Sequence, residues 1–204
     1  VLEEAPPKVP EAYRDSRHVF LANTHPMVQM DLLKQFPKRQ FAVCDTMDLW
    51  INIARPELNQ LLKQVDGVIL NDEESAQLTD ERNVVTAGRM ILQSGVRSFV
   101  VIKKGEHGAI LIHREGVASV PAYPADAQQV IDPTGAGDTF AGGFMAHVAR
   151  TGRTDFHTLR HALAWGTVLA SFTIEAFGLE RLQTLTPGHI DDRYRAFRMM
   201  TQFD

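Results

Sequence analysis

The chain has 204 residues, 44% hydrophobic and 23% charged, a balance that suits one sizeable core and excludes a disordered or fibrous chain. Its net charge of −4 argues against a broad nucleic-acid or anionic-membrane surface, so any phosphate affinity has to be local. A single cysteine, Cys44, excludes an internal disulfide and fits a reducing, cytoplasmic compartment.

The opening V-L-E-E-A-P-P-K-V-P has no initiator Met and is rich in proline. Residues 1–16 are therefore expected to be a linker or irregular connecting segment, with an upstream portion absent. Otherwise 1–204 reads as a single domain. His18–Ala22 reads as a short buried strand and Pro26–Phe36 as a helix. Phe41–Asp45 is the next strand, with Cys44 in its apolar run as a core residue rather than a nucleophile. A helix is expected over Pro56–Val65, a strand over Val68–Leu70, and helices over Glu73–Leu78 and Val84–Ser94. Phe99–Lys103 is a fourth strand. Ala109–His113 and Val117–Val120 read as a hairpin turned at Arg114-Glu115-Gly116. Three helices close the chain: Asp138–Arg150, Phe156–Phe172 and Ile190–Met200. This alternation of periods predicts an α/β fold. No apolar stretch approaches the roughly 20 residues of a membrane helix, and no signal-peptide pattern opens the chain.

The most informative stretch is Asp132–Phe144, D-P-T-G-A-G-D-T-F-A-G-G-F. Gly135, Ala136 and Gly137 lie between the extended apolar pair Val130-Ile131 and a helical run. Glycine lets successive N–H groups turn into one concavity, and a helix beginning there adds its free N–H groups and the positive end of its dipole. Such a place suits phosphate. Asp138 at its lip repels phosphate but is well placed to take a proton from an attacking hydroxyl. The same residues also describe a plain glycine-rich loop with a helix-stabilising carboxylate.

Asn23, Asp45, Asn71 and Lys103 each stand at the end of an expected strand. In open parallel sheets the ligand crevice lies beyond those ends, so the four form a candidate binding crest, although any one alone reads as a cap or turn residue. The segment 45–50 also lies at a strand end, and nothing in its spacing assigns it. His157 and His161 have the i, i+4 spacing of a metal pair, yet no H-E-x-x-H or cysteine cluster accompanies them, so they read as surface histidines. Trp50 and Trp165 read as isolated core residues. There is no G-x-x-x-x-G-K-[ST] loop, no strand-linked G-x-G-x-x-G and no G-x-S-x-G, which disfavours a P-loop kinase, a dinucleotide dehydrogenase and a serine hydrolase.

The full string over Asp132–Phe144 resembles the C-terminal signature of the PfkB carbohydrate kinases, the ribokinase-like family. The resemblance implies a doubly wound, mostly parallel sheet flanked by helices, with the N-terminal lid portion missing from this chain. It implies transfer of the terminal phosphoryl of ATP to a sugar hydroxyl, with Asp138 as base and Gly135, Ala136 and Gly137 as the anion hole. Asn71-Asp72-Glu73-Glu74 resembles the family's N-x-x-E motif, which implies that Asn71 and Glu74 hold Mg2+ through water. Lys103-Lys104-Gly105-Glu106-His107-Gly108 resembles the turn that lines the nucleotide, implying roles for Lys103, Lys104, Gly105 and Gly108. Asp132 and Thr134 resemble positions that hold a monovalent cation, K+, behind the anion hole. Leu163 and Gly166 fall near where relatives wall the adenine, although small residues there suit helix packing equally. The implied partners are ATP and a sugar or nucleoside, with no nucleic acid and no membrane; a homodimer is carried only by analogy. A nucleoside kinase, a kinase for a vitamin alcohol, and a non-catalytic nucleotide- or sugar-binding module stay open as alternatives.

Overall fold

A computed structural model describes residues 7–202. Of the expected connecting segment, residues 1–6 lie outside the described residues. From Pro7 onward it is tied to the fold by Gln35, whose Oε1 accepts from Val9 N–H at 2.9 Å and whose Nε2 donates to Pro7 O at 3.2 Å. The chain divides into two compact units, one of residues 7–103 and 110–117, the other of 104–109 and 118–202.

The first unit runs β1 (His18–Leu21), α1 (Pro26–Lys34), β2 (Phe41–Asp45), α2 (Asp48–Ile53), α3 (Arg55–Leu62), β3 (Gly67–Asn71), α4 (Asp72–Thr79), α5 (Val84–Gln93) and β4 (Phe99–Lys103). Then come β5 (Ala109–His113) and β6 (Gly116–Val120), joined by a turn at Arg114-Glu115. The strands form one sheet in the order β1-β2-β3-β4-β5-β6, and β1 to β4 pair in parallel. Parallel neighbours need a crossover, and each is linked here by helix. All five residues of β2, and four of five in β3 and in β4, are buried. Continuous apolar runs of this kind mark strands covered on both faces. On one face Ala42, Cys44, Val68, Leu70, Val100 and Ile102 join Leu33, Leu58, Leu61, Leu62 and Ile91 in one core.

Helix α2 was not expected from the sequence. It has six residues, and no side chain caps it at Met47, so neither length nor a cap residue signalled it. Cys44 is fully buried, which pushes its thiol pKa well up; this fits the inert core role. Trp50 is buried too, with its Nε1 donating to Asn23 Oδ1 at 2.8 Å.

The second unit is helical: α6 (Ala136–Thr151), α7 (Phe156–Thr173), α8 (Glu180–Gln183) and α9 (Pro187–Thr201). Asp155 caps α7 by accepting from Thr158 N–H at 3.1 Å, a bond that draws its pKa down to about 2. Helix α9 starts three residues before the expected Ile190. Thr186 and His189 form a reciprocal cap there, and Pro187 occupies the first turn, where its missing N–H is no loss. Val168, Phe172 and Phe197 form one core cluster of this unit with Leu182, Leu185, Ile190 and Tyr194 around them. Trp165 is half-buried rather than core: it stacks on Tyr194 at 4.6 Å, with the Arg150 guanidinium 4.6 Å from its ring centre. Among the described residues no helix is long and apolar enough to cross a membrane.

Candidate active site

The turn before α6 is built by two local hydrogen bonds and a longer-range one from Gly178. Pro133 O accepts from Ala136 N–H at 3.1 Å, and Gly135 between them has φ 80° and ψ −1°. These angles are those of the third residue of a type II turn, where a side chain is strained and glycine is not. Asp132 Oδ1 accepts from Thr134 N–H at 2.9 Å and its Oδ2 from Gly178 N–H at 3.5 Å. The Thr134 amide, then its hydroxyl, and Gly178 more weakly, hold the Asp132 carboxyl below the usual range.

Helix α6 then begins at once, its first ladder bond running from Thr139 N–H to Gly135 O at 2.9 Å. Its sixteen residues put a substantial positive end at this point. Ala136 N–H is engaged in the turn, so the amides left without a partner here among the described residues are those of Gly135, Gly137 and Asp138. The Asp138 side chain is exposed in the first turn. Of the expected extended apolar pair, Val130 has extended backbone angles, φ −86° and ψ 100°; Val130 and Ile131 are 40% and 64% exposed, and Ile131 N–H donates to Ile174 O at 2.7 Å.

In the first unit the crest residues are staggered. Asn71 and Lys103 are direct partners in the ladder, while Asp45 pairs with Ile69, two residues short of Asn71. Asn23 is engaged by Trp50 and by Met47, whose sulfur accepts from its Nδ2 at 3.1 Å. Asn71 and Glu74 cap α4 reciprocally. Burial is the main cause that raises the Glu74 pKa; Asp45 and Asp48 raise it further, against the Asn71 amide and Lys103. Asp48, Asn71, Glu73, Glu74 and Gln77 line a cavity of about 400 Å³. Of these, Asp48, Glu73 and Gln77 had no assigned role in the sequence. An acidic residue three positions past a strand end was the one available signal for Asp48.

Lys103 and Lys104 are half-buried. Lys104 N–H donates to Gly108 O at 2.7 Å, closing the turn over Gly105–His107. A side chain on Gly105 would meet nothing within 4 Å. One on Gly108, at φ 87°, would stand 2.1 Å from Val120 O, so close backbone packing requires glycine there.

Leu163, expected with Gly166 near the adenine, is fully buried on α7. A Cβ on Gly166 would lie 2.7 Å from Phe140 O, so glycine there lets α6 and α7 approach closely. His157 and His161 are exposed, their rings 4.7 Å apart. Among the described residues no three His, Cys, Asp or Glu are placed to hold a metal ion together.

The sequence model of the pfkB family of carbohydrate kinases matches residues 29–184. The chain belongs to that family. It is 31% identical over 144 residues to the cytidine kinase of Thermococcus kodakarensis, a match covering 70% of this chain and 51% of that protein. It is 27% identical over 135 residues to the adenosine kinase of Saccharomyces cerevisiae, covering 62% of this chain and 38% of that one. The solved nucleoside kinase of Methanocaldococcus jannaschii aligns with TM-score 0.73 and 21% identity, over 95% of this chain and 59% of its own. The ribokinase of Thermotoga maritima aligns with TM-score 0.71 and 19% identity, over 90% and 58%. These likenesses establish a shared ribokinase-like fold: an α/β architecture with a mostly parallel sheet flanked by helices. This pfkB-family chain spans about half the length, or less, of the two curated kinases it matches.

Proposed function

We propose that this pfkB-family chain is the nucleotide-binding and catalytic portion of a phosphotransferase that moves the terminal phosphoryl of ATP to a hydroxyl of a sugar or nucleoside. The observation that carries the reading is the start of α6. A type II turn at Gly135 hands directly into a long helix, leaving the Gly137 and Asp138 amides unpartnered beside an exposed Asp138 carboxylate. Unpartnered amides at a helix start stabilise the charge that develops on a transferring phosphoryl group. Asp138 accepts the proton of the attacking hydroxyl. Gly135 and Ala136 hold the turn, and Gly137 gives its amide.

Lys103 and Lys104 act as point charges for the phosphates, and the open face at Gly105 admits the nucleotide. The cavity at Asp48, Asn71 and Glu74 fits magnesium: its lining is carboxylate and amide oxygen, the donor set a hard cation takes. With no three-carboxylate cage among the described residues, Glu74 and Asn71 hold the ion through water, as magnesium's reluctance to dehydrate favours. When bound, magnesium neutralises the triphosphate. Asp132, kept ionised by the Thr134 amide, suits a monovalent cation such as K+ together with Thr134.

The similar curated proteins are named both for nucleosides, cytidine kinase and adenosine kinase, and for sugars, ribokinase and fructokinase, so both acceptor classes enter the test. The test is ADP release that depends on magnesium and ATP, measured with ribose, fructose, cytidine and adenosine, beside an Asp138→Asn control. Acceptor-dependent release lost in the control supports the reading. ATP binding without release under any acceptor points instead to a binding module. Release undiminished in the control removes Asp138 from the base role.

A further inference from the structure

Residues 127–135 contain no buried side chain. Apolar packing therefore does not locate the turn that leads into α6, and hydrogen bonds must. Those bonds come from one short stretch after α7. Ile174 O accepts from Ile131 N–H at 2.7 Å and from Asp132 N–H at 3.4 Å, and Gly178 N–H donates to Asp132 Oδ2 at 3.5 Å. Asp132 in turn holds Thr134 through its amide, one residue before Gly135.

Residues 174–178 are themselves held by Glu175. Its Oε1 lies 2.6 Å from Arg193 Nη2 and its Oε2 3.0 Å from Arg181 Nε. Arg193, on α9, is the better buried guanidinium, with its side chain 17% exposed. Its Nη1 donates to Ser171 Oγ at 3.1 Å, and its plane lies 3.5 Å from the Phe172 ring centre and 5.1 Å from that of Tyr123. Glu175, Arg193, Ser171 and Ile131 border one cavity of about 740 Å³. Arg193 is not what fastens α9 to the unit, because Phe197 and Ile190 already pack it into the core. A planar guanidinium that joins a carboxylate, a hydroxyl and two rings fixes direction as well as distance, which an ammonium does not.

We propose that Arg193 is a positioning residue for the phosphate-binding turn, acting through Glu175 and residues 174–178 on Asp132. The assignment of that turn to phosphate rests on the phosphotransferase reading; the mechanical link does not.

The test compares wild type with Arg193→Leu, Arg193→Lys and Glu175→Gln. Amide hydrogen exchange at Ile131, Asp132 and Thr134 is followed with Val68 and Val101 as internal references, alongside thermal melts. The expected result is exchange at least about tenfold faster at Ile131 and Asp132 in Arg193→Leu and Glu175→Gln, with the reference strands unchanged. Arg193→Lys, which keeps the charge and loses the fork, falls between. In steady state, kcat for ADP release falls while the ATP KM stays within about twofold, because the turn acts on the transferring group. Unchanged exchange at Ile131 and Asp132 in a folded Arg193→Leu overturns the proposal. If that variant does not fold, Glu175→Gln, which keeps the side-chain shape, decides by the same amides. A wild type that turns over no ATP fails the phosphotransferase reading alone, and the exchange data still judge the link.

Discussion

Asn71 and Glu74 bind each other's backbone: Asn71 Oδ1 accepts from Glu74 N–H at 2.7 Å, and Glu74 Oε2 accepts from Asn71 N–H at 2.8 Å. The pair that the sequence marks as a magnesium motif is thus also the cap of α4, and the two roles separate by substitution. Asn71→Ala removes the cap acceptor and is expected to lower stability by about 1 kcal/mol. Glu74→Gln keeps an oxygen for the Asn71 amide and removes a buried charge. Because the folded-state Glu74 pKa is raised, the stability tied to its protonated form is present at low pH and is lost as pH rises through the folded value. Glu74→Gln should therefore melt no lower than wild type at pH 7, with a flatter pH dependence, while magnesium stimulation of ADP release weakens. A large drop in melting temperature together with unchanged magnesium dependence would count against this division of roles.

Asp138→Asn keeps the helix start and removes the base. Loss of proton transfer is expected to lower turnover by about 10²–10⁴-fold, with ATP affinity nearly unchanged. Isothermal titration with Mg-ATP beside the turnover assay separates the two quantities. A matching loss of affinity would mean that Asp138 binds nucleotide rather than acting on the acceptor.

Two glycines of the second unit should respond for different reasons. Gly135→Ala meets no neighbour within 4 Å, so its cost is conformational, about 1–2 kcal/mol for a left-handed residue. Gly166→Ala puts a methyl 2.7 Å from a backbone carbonyl, Phe140 O, and must push α6 from α7 at about 1–3 kcal/mol. Denaturant melts of both variants check the magnitudes. Only Gly135→Ala should change exchange at Thr134 while the α6–α7 contact persists.

His147 adds an acid-side sensitivity. Burial, then Arg150 and His161, lower its pKa to about 4. Above pH 6.5 it is neutral in folded and unfolded chain alike and contributes no pH dependence. Between 6.5 and about 4 the unfolded chain takes a proton that the folded chain refuses, so stability falls as pH falls through that window. His161 is shifted the same way by burial and by His157 and Arg160. His147→Gln should flatten urea stability between pH 6.5 and 4.5, and an unchanged slope would assign the loss to other groups.

The strands were legible in advance because buried parallel strands read as continuous apolar runs: Phe41–Asp45 and Phe99–Lys103 fall where the pattern places them. Local chemistry also announced the turn at Gly135 and the long helix after it. The short α2 escaped because six residues without a side-chain cap carry too little periodicity to stand out.

What the sequence determined by itself is what neighbouring residues decide among themselves: buried strands, the glycine turn before α6, and the family signature over Asp132–Phe144. What only the tertiary structure decided depends on residues that meet from far apart in the chain. Ile131 reads only as half of an extended apolar pair, yet what holds it is the carbonyl of Ile174. Gly166 has to be small only because Phe140 O of α6 lies against it. Asp48 gains its meaning from Glu74 across the ends of two strands. A hydrogen-bond acceptor, a covering helix or a neighbouring charge supplied from a distant part of the chain leaves no periodic trace at the residue it governs. Those assignments therefore appear only when the chain is folded.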